Sequence, residues 1–458
     1  MNTILLQPTD VLFFRDGRPM EGSLAGHTAA WPLPDVTNHA LHAALHRAGL
    51  EGVHSHRRGR SGNYTEERDR KFGCLATAGP FPVDSKNQWF FPRPKDAQLK
   101  GSTKVTLQPV GKLAGLSESP CPGSSLPKPL LYAVGNTEPP TKDAGGEPWI
   151  STEAFHAYLH GSDGPLEAAG SSQFLRDDCI ACQEANIGIG IDPETQTAGQ
   201  GQAAGKIYAA HYLRLKEGFR IGLLANAEDK DFNHPKYGND LIRALLNGNP
   251  VQIVVGGQQR LCTATLQPSK GCLPLPRGLV SGFAAVSDKH LVKWVLITPA
   301  IWPEIAAGTA KSGQVINAHP GGWLPNWVDA QTGQVLLTQG PGLRKAERKK
   351  LAKGGGISAR LVAAIVPKPI VVTGWALPDP ADSERAEQGG AKSTHLAVPA
   401  GAVYYFEADS EPDARKLANA LNWHGDTNGT DIKNRRSTLL GEKGYGLGVC
   451  GTWKYFGT

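Results

Sequence analysis

The chain has 458 residues, of which 40% are hydrophobic and 20% charged, and its formal net charge is +6. These values exclude a disordered chain, indicate about two globular domains, and are compatible with a polyanionic partner. The longest apolar runs, such as Leu361 to Val366, are far too short to cross a bilayer, so no membrane partner is expected.

Met1 to Pro8 has no basic stretch ahead of a sustained apolar run. The 7 cysteines are scattered and read as reduced thiols rather than as a disulfide framework. Both features predict a cytoplasmic protein. With 55 glycines and 34 prolines, the chain is expected to be rich in loops.

Residues 2–7 read as a first strand. Asp10-Val-Leu-Phe-Phe-Arg-Asp-Gly-Arg-Pro19 follows, an apolar run that ends in turn chemistry and throws Arg15, Asp16 and Arg18 into a tight loop. Two guanidiniums placed so closely can clamp a phosphate, although an Arg–Asp pair that only orders the turn uses the same residues. A helix follows from Asp35 or Thr37 as cap, through Val36, His39, Ala40, Ala43, Ala44 and Arg47, to a stop at Gly49.

Residues 51–150 carry a basic run, His54 to Arg60, and then many prolines. They are expected to form a long insertion lying over the first domain, with little regular sheet. Residues 151–160 read as a helix. Its His156 and His160 are spaced for chelation but have no third ligand in view, and no metal is expected. Cys179-Ile-Ala-Cys182 lacks a second pair and is read as two buried thiols.

Ile187-Gly-Ile-Gly-Ile191 alternates as a strand does. It is followed by a hairpin arm over 192–205 and by strands at 206–215 and 219–224. A short helix at 240–246 leads to a strand, Val251 to Val255, that ends in Gly256-Gly257-Gln-Gln-Arg260. This is either a second phosphate-contact loop or an ordinary glycine bulge. Trp294 to Thr298 is a strand, 299–327 a loop, and Arg344 to Lys353 a basic run beside three glycines. Strands at 363–372 and 403–406 and an amphipathic helix at 411–421 precede the tail, Gly441-Glu-Lys-Gly-Tyr-Gly-Leu-Gly-Val-Cys-Gly-Thr-Trp453. In that tail Lys443 adds charge, Gly444 and Gly446 free the backbone to approach a ligand, and Tyr445 offers a ring for stacking. It is neither a P-loop nor a dinucleotide fingerprint.

Phe13 to Pro19, Trp31-Pro-Leu-Pro-Asp35, Gly256-Gly257 with Arg260, Val398-Pro-Ala-Gly-Ala-Val-Tyr404 and the glycine-rich tail occur in this order in one known family. The chain resembles the RAMP-superfamily subunit that caps the 5′ end of the guide RNA in Cmr-type (type III-B) CRISPR effector complexes. The likeness runs from the first strand to the tail and is weak over 51–150 and 300–355. Residues 357–377 and 379–390 match no part of the family pattern.

The resemblance implies an α+β fold of two ferredoxin-like (RRM-like) domains with long Pro/Gly-rich insertions: residues 1–288, with the insertion at about 51–150, and residues 289–458, with the glycine-rich loop. It implies a non-catalytic, cofactor-free protein. Such a protein grips the repeat-derived 5′ handle of the guide RNA, bridges the large polymerase-like subunit to a RAMP backbone subunit, and meets target RNA only indirectly. Arg15, Asp16, Arg18, Asn38, His39, Gly256, Gly257, Arg260, Lys443, Gly444, Tyr445 and Gly446 are the expected RNA-binding residues. Two other readings stay open. One is a metal-independent RAMP endoribonuclease that processes guide precursors with His27, His39 or His42 as acid–base group. The other is a scaffold subunit without direct RNA contact.

Overall fold

The computed structural model describes residues 1–14, 24–26, 31–50, 75–100, 104–107, 110–111, 127–135, 148–161, 166–167, 173–192, 194–198, 207–228, 238–268, 271–309, 315–338, 355–376 and 390–455. In chain order the first half contributes β1 (Asn2–Pro8), α1 (Pro34–Arg47), β2 (Leu75–Val83), α2 (Thr152–Leu159) and the hairpin strands β3 (Ala181–Ile189) and β4 (Ile207–Leu215). It continues with β5 (Arg220–Ala227), α3 (Leu241–Leu246), β6 (Val251–Val254) and β7 (Leu261–Gln267). The second half brings β8 (Ala284–Val286), β9 (Lys289–Leu296), β10 (Ala359–Ile365), β11 (Val403–Ala408), α4 (Glu411–Leu421) and β12 (Gly448–Thr452). The chain is thus a mixed α+β protein.

The first sheet runs β6-β7-β1-β5-β2, with every neighbour antiparallel. In the second, β9 lies between β11 on one side and β8 and β12 on the other, and β10 lies beyond β11. Counting β1, β2, β5, β7 and then β9, β10, β11, β12 as strands 1 to 4 of each half, both sheets have the order 4-1-3-2.

Side-chain alternation gives each sheet two apolar faces. On β1, Ile4 and Leu6 meet Leu41 and Leu45 of α1 and Ile242 of α3. On β9, Trp294 and Leu296 meet Leu417 and Leu421 of α4. The opposite faces share one core: Leu5, Ala78 and Phe81 from the first sheet, Leu291, Val295 and Tyr405 from the second, and Phe91, Phe155 and Tyr158 between them. The insertion therefore lies against both sheets, not over the first alone. Asp96 fastens it. Its carboxylate accepts the hydroxyls of Tyr158 at 2.7 Å and Tyr405 at 2.9 Å, and sits 3.7 Å from Nζ of the buried Lys293 on β9. That ammonium lies 3.6 Å from the centroid of the Tyr158 ring. Burial pushes the Lys293 pKa down, opposed by Asp96.

Three other expectations need correction. Leu75–Val83 is not insertion but an edge strand of the first sheet. Pro80 and Pro82 are tolerated because β2 has a partner on one side only. Cys179 is exposed and Cys182 half-buried, at the foot of the hairpin. The expected strand over 363–372 is two strands, β10 and Ile370–Val372, and the latter pairs with His395–Ala397. The segment after β9 is irregular, as its glycines and prolines predict, yet it is not a surface loop: Trp302 and Trp327 are buried against Trp294, Tyr404 and Phe406.

Candidate nucleic-acid interface

The predicted residues fall into two groups in different parts of the fold. The first lies where β1 runs on into the Arg15–Pro19 stretch. Beyond β1 the chain crosses to the hairpin, where Leu12 and Leu213 exchange backbone hydrogen bonds of 2.8 Å. The chain returns at Leu24–Gly26, which pairs parallel with Tyr208 to Ala210. Arg15, Asp16 and Arg18 lie outside the described residues, but both ends of their segment are tied to β4.

Gly256 and Gly257 form the seat for this strand end. Gly256 has φ +78°, and a Cβ there would fall 2.5 Å from the Phe13 carbonyl oxygen; at Gly257 it would fall 2.7 Å from the Phe13 ring. The Gly257 N–H is itself spent on that carbonyl, at 2.9 Å. The glycines therefore serve a close backbone approach.

Beside them, the Arg260 guanidinium lies 4.8 Å from the centroid of the Tyr212 ring. Its Nη2 donates to Gln258 at 3.2 Å, its Nη1 is 3.9 Å from Asp10, and its Nε is enclosed without an acceptor. The Tyr212 hydroxyl donates to the same Gln258 oxygen at 2.9 Å, and the ring stands 5.6 Å from Phe13. Arg214 is differently placed. It is paired to Asp10 at 2.9 Å and to Glu184, which holds both carboxyls below, and the guanidinium above, their ordinary values. Of these two arginines, Arg260 is the one with donors to spare. Tyr212, Gln258 and Arg214 escaped the sequence reading, because nothing in their local pattern says that β4 ends beside the β6–β7 turn.

The second group joins α1 to the glycine-rich tail. Pro34 opens α1, and Leu33 at the cap makes no side-chain bond, so neither Asp35 nor Thr37 is the cap. Asp35 instead accepts the Tyr445 hydroxyl at 2.7 Å, and Lys443 Nζ lies 3.3 Å from His39 Nε2. Gly444 abuts Thr77, Ala78 and Pro34. Gly446, at φ +79°, is so close to Ser437 that a Cβ would lie 2.0 Å from its nitrogen. Asn38 is buried and donates to Thr77 Oγ1 at 3.0 Å, with its Oδ1 unpaired. Tyr445 is fully buried, so its ring presents no face for a base to stack on. His39 is held well below its ordinary value by burial first, then by Lys443, Lys392 and His42. It is neutral near pH 7. Asn38, His39, Lys443, Gly444, Tyr445 and Gly446 are thus brought together, as a joint between the halves.

Two other predicted features are placed simply. His156 accepts the backbone N–H of Arg277 at 2.9 Å. Ile187 and Ile189 lie on β3, at the edge of its sheet, and Ile191 lies just beyond its end; the three are 80%, 55% and 61% exposed. No described helix is long and apolar enough to cross a membrane.

A family model described as "CRISPR-associated protein (Cas_Cmr3)" matches residues 4–453. Among solved structures the chain is similar to one in the type III-B Cmr-beta complex bound to cognate target RNA. The identity is 12% over 88% of this chain and 86% of that one, with a TM-score of 0.39. It is also similar to a chain of the Csm3-Csm4 subcomplex of the type III-A CRISPR-Cas interference complex, with 10% identity over 90% and 97% and a TM-score of 0.32. No curated protein matches.

Proposed function

The chain belongs to the Cas_Cmr3 family of CRISPR-associated proteins, and from that premise we propose that it caps the repeat-derived 5′ handle of a guide RNA in a type III-B effector complex. In that role it bridges the large polymerase-like subunit to a RAMP backbone subunit in the cytoplasm. It meets target RNA through the guide and carries out no chemical step of its own. The shared 4-1-3-2 strand order supports reading the halves, residues 1–288 and 289–458, as two ferredoxin-like (RRM-like) domains.

The observation that carries the RNA reading is Arg260, a cation with an unspent donor stacked on Tyr212, at the root of the segment that holds Arg15 and Arg18. A single-stranded handle is held by such groups: guanidiniums for phosphates and aromatic rings for bases. The endoribonuclease reading has less support, because His39 is spent at the joint with Lys443.

The test is to recover the tagged chain from its native cytoplasm and to sequence the RNA and identify the proteins that come with it. Guide RNAs sharing one repeat-derived 5′ end, together with RAMP subunits, are expected. The triple variant R15E/R18E/R260E is expected to lose the guides while the chain still folds, since the Arg260–Asp10 pair is long, at 3.9 Å, and its carboxylate is exposed. Full guide recovery by the triple variant would remove these arginines from the site, and a chain that brings no small RNA would end the proposal.

A further inference from the structure

Two consecutive arginines precede the glycine-rich tail, and the fold uses them in opposite ways. Arg436 is buried and consumed: its Nε donates at 2.6 Å to the carbonyl of Ala420 in the last turn of α4, and Nη2 donates to the same oxygen. It closes the C-terminal end of that helix. Arg435 is half-buried, its stem against Gly441, 3.5 Å from where a Cβ would stand. Its Nε and Nη2 are enclosed without any acceptor. Asp431 and Glu442 act on it from nearby but neither bonds it, and Asp431 is paired with Lys433 at 3.3 Å. Burial pushes the Arg435 guanidinium down to about 10, so it is still charged at neutral pH.

A guanidinium fork with unmade hydrogen bonds is costly to enclose, and the cost is recovered when an anion of matching geometry supplies the acceptors. Phosphate oxygens match the fork, and the two carboxylates that act on it electrostatically leave it unbonded. We propose that Arg435 is a phosphate-holding residue for single-stranded RNA beside the glycine-rich tail. This rests on the RNA-binding reading above and adds a contact distant in sequence from Arg15, Arg18 and Arg260. It also moves the RNA-facing part of the tail from Tyr445, which is buried, to the turn at Gly441.

The test uses the full chain and a single-stranded RNA oligonucleotide carrying the guide's 5′ end, with affinity measured across a salt series. In R435M the stem still packs on Gly441 but the fork is gone. Affinity is expected to fall about tenfold, and the slope of log affinity against log salt to flatten by about 0.7, the value of one phosphate contact on a single strand. R435K keeps the slope and loses part of the affinity. The melting temperature of free R435M is expected to hold or rise, because an unpaired enclosed charge has been removed. Wild-type binding with an unchanged slope in R435M overturns the inference and leaves the RNA-binding reading standing, as does a lowered melting temperature with unchanged affinity. A wild-type chain that binds no RNA overturns both.

Discussion

From β1 to β2 the first half crosses its sheet through the 14-residue helix α1, which lays Ala40, Leu41, Ala44 and Leu45 on the strands. The corresponding crossover in the second half, from β9 to β10, has no helix among the described residues. Trp302 and Trp327 cover the strands instead, and Trp302 Nε1 is satisfied by the Arg436 carbonyl at 2.7 Å. A helix meets its backbone hydrogen bonds internally; an irregular segment must find partners elsewhere. The second half finds them in the tail: Ser437 bonds Ile301, Asn326 bonds Thr438, and Gly446 donates to Pro299. The contrast teaches that the glycine-rich tail is occupied with building the second half and joining it to the first. The first half is covered by its own helices, and the chain that leaves β1 is tied instead to β4 and to the β6–β7 turn.

The largest way to break this comparison is at Asp96, which ties the insertion to the second sheet. Asp96→Ala leaves Lys293 charged and buried and is expected to cost about 3–5 kcal/mol in chemical denaturation. Replacing both partners, with Asp96→Leu and Lys293→Met, should recover most of that loss; if it does not, the pair is more than a fastening. A smaller effect is expected at the joint. Tyr445→Phe removes one hydrogen bond to a carboxylate and should cost about 1.5–3 kcal/mol. Asp35→Ala should remove the same interaction, so a double-mutant cycle should find the two losses non-additive; additive losses would mean that the tail is not docked through this contact.

The smallest effect is a pH dependence. The folded chain holds His39 well below 6.5, whereas the unfolded chain protonates it as pH falls through about 6.5. Below that value the unfolded state binds more protons, so stability is lost as pH falls from about 6.5 toward the folded-state value. His156, His319 and His424 are shifted the same way. His39→Gln should therefore reduce, not abolish, the acid loss seen between denaturation curves at about pH 7.5 and pH 5.5. Curves that superpose for the two proteins would place His39 outside the joint.

Much of the fold was legible because it rests on local patterns. The strand at 2–7, the apolar stripe of Glu411–Leu421 and the helix start at Ser151 were visible as spacing and residue type, whereas the strand expected at Trp294 to Thr298 proves to be Lys289–Leu296, begun five residues earlier. Leu75–Val83 was missed because its prolines argue against a strand unless the strand is an edge, and edge position is a property of the sheet. The site was legible only in part, for a similar reason. Glycine next to a cation suggests ligand contact, but Gly256 and Gly446 owe their identity to Phe13 and Ser437, which approach from elsewhere in the chain.

By itself, then, the sequence determined most of the helices, part of the strands and the family, since periodicity, capping and motif order are carried by neighbours along the chain. The tertiary structure alone decided which of the arginines are spent. Arg214 and Arg436 are consumed, whereas Arg260 and Arg435 keep free donors. The physical reason is that an arginine's availability depends on which acceptors the fold brings within about 3 Å. Those acceptors, Asp10 and Glu184 for one and the Ala420 carbonyl for the other, come from strands and helix ends that no local pattern pairs.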